Sequence, residues 1–101
     1  MTPPAGSASS ALRIDVFGVV QGVGFRPFVV RLARRFGLAG WVKNDARGVQ
    51  IHVEGGTRSL RGRFAEAVEA ERPKLARVER LTRRAVPARG YKDFKVRSSG
   101  R

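Results

Sequence analysis

A glycine-rich segment early in the chain contains the residue types best suited to chemistry. It consists of Gln21, Gly22, Val23, Gly24, Phe25 and Arg26, and Pro27 follows it. Glycine readily adopts positive φ, which lets successive backbone N–H groups point into one concavity and bind an anion. A helix that begins near Pro27 would add free N–H groups and the positive end of its dipole. A guanidinium at that junction can donate two hydrogen bonds to phosphate oxygens. The segment therefore indicates a site for a phosphoryl group.

The glycine spacing by itself is a weak signal. It matches neither the P-loop pattern Gly-x-x-x-x-Gly-Lys-Ser/Thr nor the dinucleotide pattern Gly-x-Gly-x-x-Gly. A tight strand-to-helix turn that carries an exposed arginine would explain the same residues equally well. Both interpretations stay open at this point.

The elements that flank this segment are predicted from hydrophobic periodicity. Leu12, Ile14 and Val16 alternate with polar residues, which predicts a half-buried strand that ends near Phe17. Residues 18–24 then form a loop. Apolar residues recur at helical spacing from residue 28 to residue 36, and Gly37 is a natural end for that helix.

The second half of the chain predicts five more elements. Two strands, roughly 40–44 and 49–54, are joined by a hairpin turn at 45–48. A second helix begins after a cap at Thr57 or Ser59 and ends before Pro73. Residues 78–84 form a weakly patterned strand, and Phe94 and Val96 mark a short last one.

This order, β-α-β-β-α-β with a possible extra edge strand, predicts an α+β fold. It is the ferredoxin-like sandwich, in which two helices cover one face of an antiparallel sheet. One domain over residues 11–98 is expected, because 101 residues suffice for a single core. Residues 1–10, which are small and rich in proline and glycine, predict a disordered tail, and 99–101 a short C-terminal one.

The composition points to anionic ligands. Lysine and arginine total 21 against eight acidic residues, giving a net charge of +13, and 17 of the 21 are arginine. Attraction to phosphates or nucleic acid explains this balance, and so does a compositional bias of the source genome. The absence of cysteine excludes disulfides and thiol nucleophiles. The start of the chain has no signal-peptide pattern and no apolar run is long enough to cross a bilayer, so a cytoplasmic protein is expected.

Three separated motifs resemble those of the acylphosphatase family. They are Gly18–Arg26, Gly37–Asn44 and Gly48–Ile51, and the similarity spans roughly residues 12–98. The resemblance implies that the loop 21–26 cradles the substrate phosphate, that Arg26 binds it, and that Asn44 orients the attacking water. It further implies an acylphosphatase that cleaves a carboxyl–phosphate anhydride, releases inorganic phosphate and needs no metal or cofactor.

Two further stretches, residues 25–29 and 73–78, are more similar to one branch of that family. This is the N-terminal acylphosphatase-like domain of the hydrogenase maturation carbamoyltransferase. That resemblance implies carbamoyl phosphate as the substrate and the other domains of a larger maturation protein as partners. Simple carboxylic phosphates are the expected substrates otherwise.

Two other functions are weighed against hydrolysis. RNA-recognition modules share the predicted layout, and the charge would favour RNA. Nucleic acid is nevertheless not expected as a partner, because residues 49–54 lack the stacking aromatics of such modules. A domain that binds phosphate without turnover is the other alternative.

The remaining polar and aromatic residues receive structural interpretations. His52, the only histidine, is expected to be a solvated or helix-packed bystander, and Trp41 to pack in or beside the core. The basic residues Arg77, Arg80, Arg83 and Arg84 are expected to lie on a solvated edge strand.

Overall fold

The computed structural model describes residues 10–97 as five strands and two helices. The elements in chain order are β1 (Ala11–Val19), α1 (Phe25–Phe36), β2 (Ala39–Asp45), β3 (Gly48–Glu54), α2 (Arg58–Ala70), β4 (Arg77–Val86) and β5 (Phe94–Val96). The predicted tails lie outside the described residues except for Ser10. The predicted ferredoxin-like fold is confirmed, because both helices pack on one face of a single sheet. Among residues 10–97, neither helix is long and apolar enough to cross a bilayer.

The sheet has the strand order β4-β1-β3-β2-β5. The first four strands pair antiparallel, as predicted, but β5 pairs parallel to β2, so the expectation of a wholly antiparallel sheet was wrong. The connection 87–93 explains the difference. It must cross from one edge of the sheet to the other, about 19 Å at 4.8 Å per strand, and seven extended residues reach only about 25 Å. The connection is too short to cross the sheet and also run back along it. β5 therefore starts at the end of the sheet where β4 stops, which is also where β2 starts, and it runs parallel to β2.

One hydrophobic core lies between the sheet and the two helices. Its largest fully buried side chains are Phe25, Phe64, Phe94, Ile14 and Ile51. The Thr57 side chain accepts a hydrogen bond from Leu60 N at 3.0 Å, which identifies the cap of α2, and Gly37 ends α1 in the left-handed conformation.

The first strand is two residues longer than predicted. The periodic pattern ends near Phe17, but a register shift between Phe17 and Gly18 lets the chain stay paired with β4 as far as Val19. The bulge therefore carries β1 past the point where its alternation stops.

His52 is neither solvated nor packed against a helix, which corrects that expectation. It lies on the face opposite the helices, is fully buried, and stacks on Trp41 with ring centroids 5.7 Å apart. Its Nε2 is 2.7 Å from Glu54 Oε2, and Arg13 Nε donates to its Nδ1 at 3.4 Å. Because arginine has only donors, Nδ1 accepts, and the single ring proton of a neutral imidazole sits on Nε2.

The surroundings of His52 and Glu54 lower the pKa values of both side chains. Burial lowers the pKa of His52, with the Arg13 charge adding to the effect against the hydrogen bond to Glu54. Burial alone would raise the pKa of Glu54. The backbone N–H groups of Arg89, Gly90 and Tyr91, together with His52, outweigh it, so that the pKa falls.

We expect the free energy of unfolding to decrease as the pH falls below about 6.5, the pKa of His52 in the unfolded chain. The folded state resists protonation of His52, so the unfolded state binds more protons and gains stability there. Urea denaturation between about pH 5.5 and 7.5 measures the slope, because carboxyl groups of the unfolded chain titrate mainly at lower pH. The variant His52→Gln keeps a donor for Glu54 but cannot titrate, and should flatten the slope. An unchanged slope in this variant would contradict the assignment.

Candidate phosphate-binding site

The predicted loop is an exposed arch held at both ends by the core. Val20 and Phe25 are each 1% exposed, and the half-buried Val23 packs against the core between them. Gln21, Gly22 and Gly24 lie on the outside. The buried anchors fix where the arch begins and ends, and the exposed residues present their backbone to solvent.

Two glycines give the arch its shape. Gly22 has φ 77° and Gly24 has φ 78°, both in the left-handed region that other residues rarely adopt. Gly24 caps α1 through its backbone alone, its carbonyl accepting from Phe28 N at 3.2 Å. Within the described part of the chain, no hydrogen bond engages the backbone N–H groups of residues 22–26. These donors are therefore available to an anion.

Arg26 lies in the first turn of α1, next to these donors. It is half-buried, and no hydrogen bond or ion pair joins its guanidinium to another residue between 10 and 97. The first turn of α1 contains no acidic residue, whereas its last turn contains Arg34 and Arg35. The first turn of α1 therefore combines the positive end of the helix dipole with a guanidinium that has no partner among residues 10–97.

Gln21 connects the arch to the hairpin between β2 and β3. Its Nε2 donates to Asp45 O at 2.7 Å and to Gly48 O at 2.8 Å. The hairpin is itself fixed by Asp45, whose Oδ1 accepts from the backbone N–H groups of Arg47 and Gly48 at 2.9 and 3.0 Å. The Gln21 side chain therefore positions the loop, and only its backbone remains for an anion.

Asn44 immediately precedes this hairpin. It pairs with Val49, which pairs with Val16 on β1, so its side chain is on the face of the sheet that the helices cover. Its Oδ1 is buried and is the one buried side-chain N or O atom among residues 10–97 without a hydrogen-bond partner. Buried polar atoms are nearly always hydrogen-bonded, and a missing partner commonly marks a site for water or ligand.

The structure thus brings the predicted residues to one end of the sheet. Gln21 spans the loop and the hairpin, and Asn44 adjoins that hairpin on the same side as α1, which carries Arg26. Sequence reasoning missed the structural role of Asp45. Its signal was present, because an aspartate three residues before a glycine is typical of a side-chain-stabilised turn.

A separate cleft of about 580 Å³ lies at the opposite end of β3. Glu54, Arg61 and Tyr91 are among its lining residues. The Glu54 carboxylate already accepts three backbone hydrogen bonds and contacts His52. The chemistry predicted for the loop 21–26 is therefore not located in this cleft.

Comparison with known proteins places this geometry in a family. The sequence model of the family Acylphosphatase matches residues 12–96. The chain is 43% identical to an acylphosphatase of Thermotoga petrophila over 88 residues, covering 86% of this chain and 96% of that protein. It is also 50% identical over 78 residues to the carbamoyltransferase HypF2 of Cupriavidus necator, covering 77% of this chain and 10% of that protein.

A solved structure supports the same assignment. The acylphosphatase from Coxiella burnetii superimposes with a TM-score of 0.80 at 32% identity, covering 89% of this chain and 94% of that one. The chain spans about a tenth of the length of the carbamoyltransferases that it matches and nearly the whole of the stand-alone enzymes. It belongs to the acylphosphatase family.

Proposed function

We propose that this chain hydrolyses acyl phosphates, with the phosphoryl group held by the loop 21–26 and Arg26, and the attacking water held by Asn44. The observation that carries the proposal is the buried Asn44 Oδ1, which has no hydrogen-bond partner among residues 10–97 and lies at the same end of the sheet as the free N–H donors of the loop. A carboxamide oxygen is a hydrogen-bond acceptor, and it can orient a water molecule by accepting a hydrogen bond from one of its O–H groups. The remaining lone pair of that water then faces the phosphorus.

Binding of the phosphoryl group follows from the electrostatics of the arch. A dianion placed there accepts hydrogen bonds from N–H groups of residues 22–26 and from the Arg26 guanidinium. The backbone donors are held in place before the substrate arrives, since Val20 and Phe25 anchor the loop in the core. Preorganised donors stabilise the transition state without reorganising during the reaction.

The chemical step is a direct displacement at phosphorus. The water oxygen forms a bond to phosphorus while the bond from phosphorus to the acyl oxygen breaks, and the carboxylate leaves with that electron pair. The water proton passes to a phosphoryl oxygen, and the products are inorganic phosphate and a carboxylate. An acyl phosphate is an activated anhydride with a good leaving group, so positioning and charge stabilisation suffice for the rate.

We expect Arg26→Ala and Asn44→Ala to lower different kinetic parameters. Loss of the guanidinium should lower kcat/KM for benzoyl phosphate about 100-fold or more and weaken inhibition by inorganic phosphate, because phosphate binding itself is reduced. Asn44→Ala should lower kcat about 100-fold and leave phosphate inhibition within about twofold, because the water alone loses its partner. Steady-state kinetics with phosphate as inhibitor measures both.

Two controls accompany that comparison. Arg31→Ala removes an exposed guanidinium from the same helix and should leave kcat/KM unchanged. Thermal unfolding should show that Asn44→Ala is folded, since Oδ1 makes no hydrogen bond within residues 10–97. Full turnover in either site variant would remove the role assigned to that residue.

We predict that Gln21→Met lowers kcat/KM about tenfold and weakens phosphate inhibition. Methionine preserves the length of the side chain but cannot donate to Asp45 O and Gly48 O, so the loop shifts relative to the hairpin. Gln50→Met is the matched control. It removes a comparable hydrogen bond, 3.1 Å from Gln50 Nε2 to Asp15 Oδ1, on the opposite face of the sheet. Equal losses in the two variants would argue against a positioning role for Gln21.

A second candidate function is favoured by the match to the carbamoyltransferases. In such a protein this domain would bind carbamoyl phosphate, and the other domains would be its partners. Assays with carbamoyl phosphate and benzoyl phosphate separate the possibilities. Phosphate binding that depends on Arg26 without hydrolysis of either substrate would favour a non-catalytic domain.

A cytoplasmic location stays a prediction from the sequence.

A further inference from the structure

The face of the sheet opposite the helices carries a concentration of cations on aromatic rings. Three cations contact the indole of Trp41: Arg13 with its guanidinium carbon 4.9 Å from the ring centroid, Lys43 with its ammonium nitrogen at 5.3 Å, and Arg97 at 4.8 Å. At the other end of β1, the Arg80 guanidinium lies 4.5 Å from the centroid of Phe17. Each of these contacts is a favourable interaction between a cation and the face of an aromatic ring.

Further cations share this face. Arg84 is opposite Arg13 in the register, and Lys95 is opposite Trp41. We call the complete set the basic sheet face: Arg13, Lys43, Arg80, Arg84, Lys95 and Arg97.

The acidic residues on or near the basic sheet face are fewer than its six cations. They are Asp15, Asp45, Glu54, Glu79 and Asp93. The face therefore keeps a net positive charge that an anionic ligand can neutralise.

We propose that the basic sheet face binds single-stranded nucleic acid. A guanidinium can stack on a nucleobase and can donate hydrogen bonds to a phosphate. Arg80, Arg84 and Arg97 are exposed on this face, so their guanidiniums can reach a ligand. Trp41 is only 4% exposed, so its role here is to hold cations at this face and not to stack on bases itself.

An acidic protein surface is the competing partner. The cations extend across the sheet from Arg80 and Arg84 on the edge strand β4 to Lys95 on the edge strand β5. Such a row of cations suits the regularly spaced charges of a phosphate backbone, and arginine can also stack on bases, which favours a nucleic acid.

The expectation that nucleic acid is not a partner rested on β3 alone. That strand lacks aromatic residues, apart from the His52 ring that Trp41 covers. The rings come from Phe17 on β1 and Trp41 on β2, and the register places them on one face. The sequence spacing within one strand could not show that aromatic rings from two strands lie on the same face.

The proposal goes beyond acyl-phosphate hydrolysis and is independent of it. Asn44 is on the helix-covered face of β2, whereas Trp41 and Lys43 are on the other face. Loss of nucleic-acid binding should therefore leave hydrolysis intact, and the substitutions at Arg26 and Asn44 should leave nucleic-acid binding intact.

Fluorescence anisotropy with a labelled 12-nucleotide oligo(U) tests the proposal. The triple variant Arg80→Gln, Arg84→Gln, Arg97→Gln spares Arg13, which contacts His52, and replaces exposed residues only. It should weaken binding about tenfold or more at 0.15 M salt and reduce the dependence of affinity on salt. The control triple variant Arg31→Gln, Arg58→Gln, Arg63→Gln removes the same charge from exposed helix positions and should change affinity less than about threefold.

Trp41, the only tryptophan, supplies a second readout. Binding of oligo(U) should change its fluorescence, because the guanidiniums that cover the indole take part in the contact. Equal losses in the two triple variants would show attraction by net charge alone and overturn the proposal. Competition by polyglutamate as effective as that by unlabelled oligo(U) would overturn it in favour of an acidic protein surface.

Discussion

The candidate site depends on a single side chain that joins two loops distant in sequence. Gln21 follows β1 and Asp45 ends β2, and the two strands are not neighbours, because β3 lies between them. The Gln21 amide reaches across β3 to the carbonyls of Asp45 and Gly48. This contact fixes the arch of free N–H groups relative to the residue before the hairpin, Asn44. The rest of the fold supplies the conditions for it: buried anchors on both sides of the arch and an antiparallel register that brings the loop and the hairpin to one end of the sheet.

Side chains alternate between the two faces of β2, so one face carries the residue proposed for hydrolysis and the other carries residues of the basic sheet face. Val42 and Asn44 point to the helices, whereas Trp41 and Lys43 point away from them. A shift of one residue in the pairing of β2 with β3 would exchange these faces, bury a lysine in the core and expose the asparagine. The buried valines of β2 and β3 oppose such a shift, so the hydrophobic core protects the placement of the polar residues as well as the stability of the fold.

Much of the architecture could be predicted from the sequence because its elements are locally encoded. The alternation in β1 and β3, the helical spacing of the apolar residues in α1, and the glycine at the end of that helix each depend on near neighbours. The parallel pairing of β5 and the location of His52 depend on contacts across the sheet. His52 is buried although it lies between Ile51 and Val53, which face the core, because Trp41 and Tyr91 cover the second face of β3 at that point. The loop, Arg26 and Asn44 could be identified from their motifs. That Asn44 Oδ1 has no hydrogen-bond partner among residues 10–97 could be seen only in the structure.

The Glu54 carboxylate has a consequence for how the molecule opens. It binds the backbone N–H groups of Arg89, Gly90 and Tyr91, in the middle of the connection that carries the chain to β5. β5 has only three residues, so this carboxylate adds substantially to the hydrogen bonds that hold residues 87–96 to the sheet. Release of this segment would break those hydrogen bonds and expose Phe94, at the end of the sheet opposite to the arch and the hairpin.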